Sequence, residues 1–276
     1  MKLRLLFLLF ITSCTGYNEE PSQHERIATA INDSYNSGGY VPLVSDIDPG
    51  LEIKDAYDIQ KYFVKTILKN DKIAGYKTGL TSKKAQSNFL VDSPISGVLF
   101  QSGVNADNSV ININAYFTML VETELGYKIA ERITVPIKSA DELDKKISYI
   151  LPVIELPDVR FAENKNSKLK DVVAANICSS RFIMGKEFDF KDFGSENIDI
   201  NLKLNDKKIN SVSISDSMEY QKELLVWLIN KQLENGWEIK PGQLLITGAM
   251  EKINTGKVGY YEADYGPLGK VRFKVK

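Results

Sequence analysis

The sequence predicts a β-rich α+β fold, and two observations lead to this class. After Gly75 the chain consists mostly of short apolar runs of strand length, separated by turns. Before that point, two segments have the residue spacing of amphipathic helices. With 276 residues, 43% of them hydrophobic and 26% charged, the chain can form one large globular domain or a core with a small extra lobe. Mixed strands with few helices indicate an α+β domain.

The first residues have the layout of a secretory signal. A short basic start precedes an apolar run from Leu5 to Ile11, which is too short to cross a membrane. The run ends in the letters ITSC, which resemble the lipobox of bacterial lipoproteins, whose cysteine is acylated. We therefore expect residues 1–14 to be a lipoprotein-like signal with Cys14 as the lipidation site, and residues 15–23 to be a polar tether. A soluble secreted protein, or an apolar start by chance, is the alternative.

An acylated Cys14 would place the protein in the bacterial cell envelope, lipid-anchored on the periplasmic side. An unprocessed signal would leave it in the cytoplasm. Cys178 would be the one thiol left in the mature chain, so no intrachain disulfide is expected.

Two predicted helices form a small N-terminal helical lobe at residues 24–72. The first runs from Ser22, the expected N-cap, to about residue 36, and two glycines follow it. The second covers 53–69, where apolar residues recur at helical spacing. Residues 73–276 are expected to form the main β-rich domain.

Alternating or continuous apolar runs predict the strands of that domain. They lie at 73–77, 110–114, 119–130, 150–156, 199–204, 208–214, 243–247, 258–263 and 270–275. Asn205-Asp206 stands between two alternating runs and predicts a hairpin. Helices are predicted at 139–149, where Ser139 and Glu142 form a capping box, and at 217–235.

The rare residue types exclude several kinds of chemistry. His24 is the single histidine, so a Ser-His-Asp triad or a Cys-His pair would have to use it. A zinc site needs several His or Cys ligands, and the chain has two cysteines. The phosphate-binding patterns GxxxxGK[ST] and GxGxxG are absent, and a net charge of -1 gives no general attraction to nucleic acid. Carboxylate, lysine and metal chemistry remain.

Three glutamates are the candidate metal ligands. Glu122 and Glu124 lie two apart in an apolar strand, so their side chains share one face. A half-exposed polar strand face would also explain this pair. Glu155 is the one charge in the apolar run ILPVIELP, where an unpaired buried carboxylate is costly. A salt bridge to a basic group such as Arg160 is the alternative for Glu155. Oxygen ligands alone suit Mg²⁺ or Mn²⁺.

Lys77 is the candidate proton-transfer or anion-binding residue. It stands between Gly75 and Gly79 in GYKTG, at a predicted strand-to-helix turn. The glycines permit close backbone approach or unusual dihedral angles. A lysine near a metal can bind an anionic substrate or transfer protons. A solvated surface lysine is the alternative.

Several stretches together resemble the 2-keto-4-pentenoate hydratase group of the fumarylacetoacetate hydrolase superfamily, over about residues 25–276. They are GYKTGLTSKKAQSNFLVDSPISGVLF, VETELGYKI, LPVIELPDVRF, DVVAANICSSRFIMG and PGQLLITGAM. The resemblance implies a mixed β-roll core that assembles into dimers or larger rings, so we expect a homo-oligomer. It also implies that Glu122, Glu124 and Glu155 bind Mg²⁺ (or Mn²⁺).

The same resemblance implies roles for four further residues. Lys77 and Asp92 would be catalytic: Lys77 would move protons or hold the substrate, and Asp92 would orient water or Lys77. Arg160 and Thr247 would contact the substrate. The implied activity is a hydratase that adds water to 2-hydroxy-2,4-dienoate or 2-oxo-4-enoate acids and forms 4-hydroxy-2-oxo acids. Small acids, and no nucleic acid, are the expected partners.

Three alternatives remain open at this point. Decarboxylation of a 2-oxo-3-enedioate would use the same metal site. Hydrolytic C–C cleavage of an acylpyruvate would need a base such as a His-acid pair, for which His24 is a poor candidate. A membrane-tethered binding protein without catalysis is the third, because residues 213–228 and 251–266 depart from the family pattern.

Overall fold

The computed structural model describes residues 20–163, 166–192, 198–214, 218–250 and 252–276. Cys14, the predicted signal and residues 15–19 of the predicted tether lie outside the described residues. The helices are α1 Gln23–Ser37, α2 Val44–Ile47, α3 Ile53–Ile67, α4 Lys83–Asn88, α5 Leu143–Lys146, α6 Leu169–Ala174 and α7 Met218–Glu234. In the ranges that the structure describes, no helix has both the length and the apolar character to cross a membrane.

The strands continue almost to the end of the chain. They are β1 Ile73–Gly79, β2 Ile95–Phe100, β3 Val104–Ala106, β4 Ser109–Ile111, β5 Leu120–Ile129, β6 Ile147–Leu156, β7 Arg181–Met184, β8 Phe188–Asp189, β9 Ile198–Leu204, β10 Lys207–Ile214, β11 Leu244–Ile246, β12 Asn254–Thr255, β13 Gly259–Asp264 and β14 Lys270–Val275.

The N-terminal helices begin at the predicted residues. The Ser22 hydroxyl accepts a hydrogen bond from Glu25 N at 3.2 Å, and the Glu25 carboxylate accepts one from Ser22 N at 2.8 Å, which completes a capping box. Gly38 ends α1 at a φ of 69°, in the left-handed region. The apolar faces of α1 and α3 join a core cluster that also contains residues of α6.

Two mixed sheets form the rest of the molecule. The larger sheet has the order β2-β1-β11-β5-β6-β7-β3, with the short strands β12 on β5 and β8 on β6; the smaller sheet has the order β10-β9-β13-β14-β4. Each contains both parallel and antiparallel pairs. Buried side chains of both sheets share one core cluster, in which Tyr127 and Ile154 of the larger sheet join Phe273 of the smaller. The α+β prediction is confirmed.

The predicted hairpin is also confirmed. Strands β9 and β10 pair antiparallel, with Leu204 opposite Lys207. Asn205 and Asp206 have φ values of 48° and 64°, so both central residues are left-handed, as a type I′ turn requires.

The helix predicted at 139–149 is confirmed only in part, because helical turns cover 140–146 and a strand takes the last three residues. A 3₁₀ turn covers Ala140–Glu142, α5 ends at Lys146, and β6 begins at Ile147 because its residues pair with β5. The Ser139 side chain makes no capping hydrogen bond to the described backbone, and the Glu142 carboxylate accepts from Lys138 N at 2.9 Å instead. Pairing within the sheet outweighs the local helix signal.

The larger sheet curls around the face that carries the glutamates. Strands β1 and β6 are separated by β11 and β5, so in a flat sheet they would lie about 14 Å apart. Lys77 of β1 nevertheless contacts Glu155 of β6. Gly75 permits the close β1–β11 packing that accompanies this curl, because a Cβ at Gly75 would overlap the carbonyl oxygen of Leu244.

Candidate active site

The three glutamates meet on the concave face of the larger sheet. Glu122 of β5 lies directly opposite Glu155 of β6, and Glu124 follows on the same face of β5. Each carboxylate has an oxygen within 4.8 Å of an oxygen of the other two. Glu124 and Glu155 are buried and Glu122 is partly exposed to a cavity. The interpretation of Glu122 and Glu124 as a solvated strand face is therefore wrong for Glu124.

Two polar contacts hold this cluster. Gly248 N donates a hydrogen bond to Glu124 Oε2 at 2.7 Å, and Lys77 Nζ donates one to Glu155 Oε1. Glu155 does form a salt bridge to a basic group, but its partner is Lys77 and not Arg160. Lys77 is itself buried, so it is not a solvated surface lysine.

One oxygen on each of two buried carboxylates has no hydrogen-bond partner. These atoms are Glu124 Oε1 and Glu155 Oε2, and no group within the described ranges satisfies them. Unsatisfied buried carboxylate oxygens are costly. A divalent cation between the glutamates would remove this cost, and a set of carboxylate oxygens matches Mg²⁺ or Mn²⁺. The residues present fit such a cation.

Burial and mutual repulsion raise the pKa values of the glutamates. Burial, with the charge of Glu155 added, raises the pKa of Glu122 to about 7, although Lys77 opposes this shift. Burial likewise raises the pKa of Glu124 well above its ordinary value. Burial alone would lower the pKa of Lys77. The charges of Glu155 and the other two carboxylates outweigh this effect and raise the pKa above its ordinary value, so the ammonium stays protonated.

A cavity of about 360 Å³ opens beside Lys77 and Glu122. The β1–α4 loop forms one wall and residues around α6 form another. Most of the other lining side chains are apolar, and Cys178 is also in the wall. The carboxylates and Lys77 thus lie at one side of a pocket large enough for a small organic acid.

Comparisons with known proteins agree with this architecture. No protein-family model matches the chain. It is similar to a 2-keto-4-pentenoate hydratase of Paraburkholderia xenovorans, with 24% identity over 91% of this chain and 94% of the relative. Among solved structures it is similar to 4-oxalocrotonate decarboxylase from Pseudomonas putida G7, complexed with magnesium and adipate. The TM-score is 0.85 and the identity 23%, over 92% of this chain and 97% of that one.

The chain is also similar in fold to a solved protein of the fumarylacetoacetate hydrolase family from Yersinia pestis. Its TM-score is 0.54 and its identity 11%, over 75% of this chain and 94% of that protein. The chain has the fumarylacetoacetate hydrolase fold. The β-roll prediction is therefore confirmed.

This fumarylacetoacetate hydrolase fold contains a strained turn at residues 176–178 that the sequence did not predict. Asn176, Ile177 and Cys178 have φ values of 53°, 51° and 53°, in the left-handed region that few non-glycine residues adopt. The Asn176 side chain holds the turn, because its Oδ1 accepts from Val98 N at 2.7 Å and its Nδ2 donates to Val98 O at 2.8 Å. The Ile177 carbonyl then accepts a hydrogen bond from Lys77 Nζ at 3.3 Å.

The structure places the other predicted site residues outside this cluster. Asp92 is exposed in the loop between α4 and β2 and is not among the residues described as lining the cavity. Thr247 is buried, and its hydroxyl donates to Gln221 Oε1. Their proposed roles stay predictions.

Arg160 and His24 are also not among the described lining residues, although Val159 and Phe161, the chain neighbours of Arg160, are. Arg160 Nε contacts Asp158 Oδ2 at 2.6 Å, and its guanidinium lies over the rings of Tyr35 and Phe117. Substrate binding by Arg160 remains a prediction. His24 Nε2 lies 3.6 Å from Asp55 Oδ1 on the N-terminal helices, which gives no His-acid base at the cavity.

Proposed function

We propose that the protein is a divalent-metal-dependent hydratase that adds water to 2-hydroxy-2,4-dienoate or 2-oxo-4-enoate acids and forms 4-hydroxy-2-oxo acids. One observation carries this proposal: three glutamates with two unsatisfied oxygens meet Lys77 at the side of an apolar cavity. Similarity to a 2-keto-4-pentenoate hydratase over 91% of the chain supports the substrate class.

Glu122, Glu124 and Glu155 would hold Mg²⁺ or Mn²⁺. When bound, the cation supplies Lewis-acid stabilisation of negative charge on the 2-oxygen of the substrate. The three side chains come from two adjacent strands, so the ladder between β5 and β6 keeps them in place. Gly248 N orients Glu124 by its hydrogen bond.

Lys77 would move the protons. In the first step the 2-hydroxyl loses a proton and carbon 5 gains one, which leaves a C3=C4 double bond conjugated to the new ketone. In the second step water adds its hydroxyl to C4 and a proton to C3. Lys77 is protonated, borders the cavity and contacts Glu155, so it can deliver and recover protons there.

Decarboxylation of a 2-oxo-3-enedioate is the second candidate. The TM-score of 0.85 to 4-oxalocrotonate decarboxylase favours it. Acylpyruvate cleavage would need a base at the cavity. His24, the candidate for that base, is not among the described residues of the cavity wall, so this reaction has less support.

Assays of the purified protein with Mg²⁺ test these proposals. The panel is 2-hydroxypenta-2,4-dienoate, 2-oxohex-3-enedioate and an acylpyruvate, with loss of diene absorbance, CO₂ release and C–C cleavage as readouts. Hydration of the monoacid dienoate, abolished by EDTA, is the expected result. Metal-dependent binding of oxalate or pyruvate without turnover of any compound would replace the enzyme proposal with a non-catalytic binding protein.

Lipid anchoring through Cys14 and homo-oligomer formation are further proposals, which rest on the ITSC sequence and on the family resemblance. We expect the full-length protein to partition with membranes and Cys14→Ala to release it or block its processing. Wild-type protein found wholly in the soluble fraction would contradict the anchor. Light scattering of the mature protein tests the oligomer.

A further inference from the structure

The described cavity wall beyond the carboxylates is mostly apolar. Six of its side chains come from separate parts of the chain and are large hydrophobic groups: Leu80, Phe89, Ile95, Phe161, Val172 and Ile177. Leu80 follows β1, Phe89 lies at the end of α4, and Ile95 begins β2. Phe161 precedes α6, Val172 lies on it, and Ile177 follows it. Several of them also belong to, or pack against, the core cluster of the N-terminal helices, so this wall is fixed by the core behind it.

Among the described lining residues, charge is confined to one side of the cavity. Lys77 and Glu122 are the charged members of the lining that the structure describes; Glu122 belongs to the carboxylate cluster and Lys77 contacts Glu155 of that cluster. Thr78, Thr81, Ser82 and Ser167 supply the neutral hydroxyl groups of the same lining. A carboxylate at the far end of a substrate would therefore meet hydrocarbon and neutral hydroxyls, and an unpaired buried charge is costly.

The cavity also exceeds the needs of a five-carbon acid. Its volume of about 360 Å³ lies within the range of about 300 to 1,000 Å³ that is usual for drug-sized ligands. Once the carboxylate and 2-oxygen of a substrate lie beside Glu122 and Lys77, apolar space remains for a longer chain.

We infer that the substrate carries an apolar tail, an alkyl or aryl group, at the end opposite its 2-oxo acid, and that the site discriminates against a second carboxylate there. This inference rests on the proposed function, because it takes the glutamates and Lys77 as the site of the 2-oxo acid. It divides the candidate substrates: apolar monoacids fit, and dioates do not.

Binding measurements test the inference without requiring turnover. Calorimetry with saturating Mg²⁺ compares pyruvate, 2-oxohexanoate and 2-oxoadipate, and the last two have equal chain length and differ in the terminal group. We expect 2-oxohexanoate to bind more tightly than pyruvate, by about fourfold for each added CH₂ that is buried. We expect 2-oxoadipate to bind at least about tenfold more weakly than 2-oxohexanoate.

Two charge-introducing variants sharpen the test. Val172→Lys on α6 and Ala85→Lys on α4 each add a cation at a lining position in a helix, where a lysine is tolerated. Each should narrow or reverse the preference for 2-oxohexanoate over 2-oxoadipate. Val135→Lys is the matched control, because Val135 is 68% exposed and is not a described residue of the wall, so its preference should equal that of wild type.

The outcomes separate the two proposals. Metal-dependent binding in which 2-oxoadipate equals or exceeds 2-oxohexanoate in wild type would overturn the apolar-tail inference and leave the proposed function standing. The expected preference together with no turnover of any dienoate would keep the inference about the pocket and overturn the hydratase. Absence of binding by all three acids would overturn both.

Discussion

Glu122 lies directly opposite Glu155 across the β5–β6 ladder, with Glu124 on the same face. Like charges at opposed positions of an antiparallel pair destabilise a sheet. Lys77 offsets part of this repulsion through its hydrogen bond to Glu155. One ammonium cannot neutralise three carboxylates, and the unsatisfied oxygens of Glu124 and Glu155 remain. A divalent cation would supply the missing counter-charge.

Adding Mg²⁺ or Mn²⁺ should therefore raise the melting temperature of the wild-type protein. A ligand that binds the native state alone stabilises it by about 2.7 kcal/mol at a concentration of a hundred times its dissociation constant. Glu124→Gln should reduce this rise, since it removes a ligand charge. In metal-free buffer the same variant should be as stable as wild type or more so, because a buried like charge is lost. Differential scanning fluorimetry measures both effects.

Glu219→Gln is the matched control for this experiment. Glu219 is exposed in the first turn of α7, so its metal response should equal that of wild type. A wild-type melting temperature that does not move in saturating Mg²⁺ and Mn²⁺ would contradict the metal site.

The affinity for Mg²⁺ should increase with pH. The pKa of Glu122 is raised to about 7 in the metal-free protein, mainly by burial, and the metal binds the deprotonated carboxylate. Below pH 7 a proton competes with the metal, so affinity should fall as pH falls from 8 to 6. Calorimetry in buffers with different ionisation enthalpies should show proton release on binding near pH 7. Equal affinities at pH 6 and pH 8, with no proton release, would contradict this coupling.

Without metal, a rise in pH should change the folding stability due to Glu122 in the direction opposite to that of most carboxylates. A folded pKa above the ordinary 4.5 means that the native state binds the proton more tightly than the unfolded chain. Metal-free stability attributable to Glu122 should therefore fall as pH rises from about 4.5 towards 7. Urea unfolding in EDTA across this range measures it, with Mg²⁺-loaded protein as the comparison.

Lys77→Met should separate metal binding from turnover. Loss of a general acid-base group typically lowers turnover by about 10² to 10⁴-fold. Mg²⁺ affinity should be retained or increased, because the ammonium no longer competes with the metal for Glu155. Lys128→Met, on the same sheet but paired with Glu187 near the surface, should change neither quantity. Turnover of Lys77→Met within a factor of two of wild type would remove Lys77 from the mechanism.

The sequence patterns predicted most of the elements that carry the glutamates. Alternation along VETELGYKI placed Glu122 and Glu124 on one face, and the structure has both on that face of β5. A single charge in ILPVIELP indicated that Glu155 is buried, which it is. These predictions succeeded because they depend on the two-residue period of a strand and on the cost of burying a charge, which are local properties.

Other features could not be read from the chain. The contact between Lys77 and Glu155 depends on the curl of a sheet whose strands come from distant parts of the sequence. The sequence did not predict strands β2, β3, β7, β8 and β12, and three of these, β3, β8 and β12, have only two or three residues. The left-handed turn at 176–178 contains Ile and Cys, which carry no local signal for that conformation, and tertiary contacts of Asn176 impose it.

Asn176 should be a positioning residue for Lys77. Its two hydrogen bonds to Val98 fix the turn, and the turn presents the Ile177 carbonyl to Lys77 Nζ. Asn176→Ala leaves a buried backbone N–H and C=O unpaired, at about 1 to 3 kcal/mol each, so the free energy of unfolding should fall by about 2 to 6 kcal/mol. Asn176→Asp keeps the acceptor for Val98 N and loses the donor to Val98 O, so its loss should be intermediate. The pH profile of turnover should change in both variants, since the surroundings of Lys77 change, while the melting-temperature rise with Mg²⁺ persists.

Asn105→Ala, which removes one local hydrogen bond to Gly103, is the control and should leave the pH profile unaltered. Urea titration measures the stability of each variant, and rate measurements from pH 6 to pH 9 give the pH profile. An Asn176→Ala protein with wild-type stability and an unchanged pH profile would show that the turn at 176–178 forms without the Asn176 side chain.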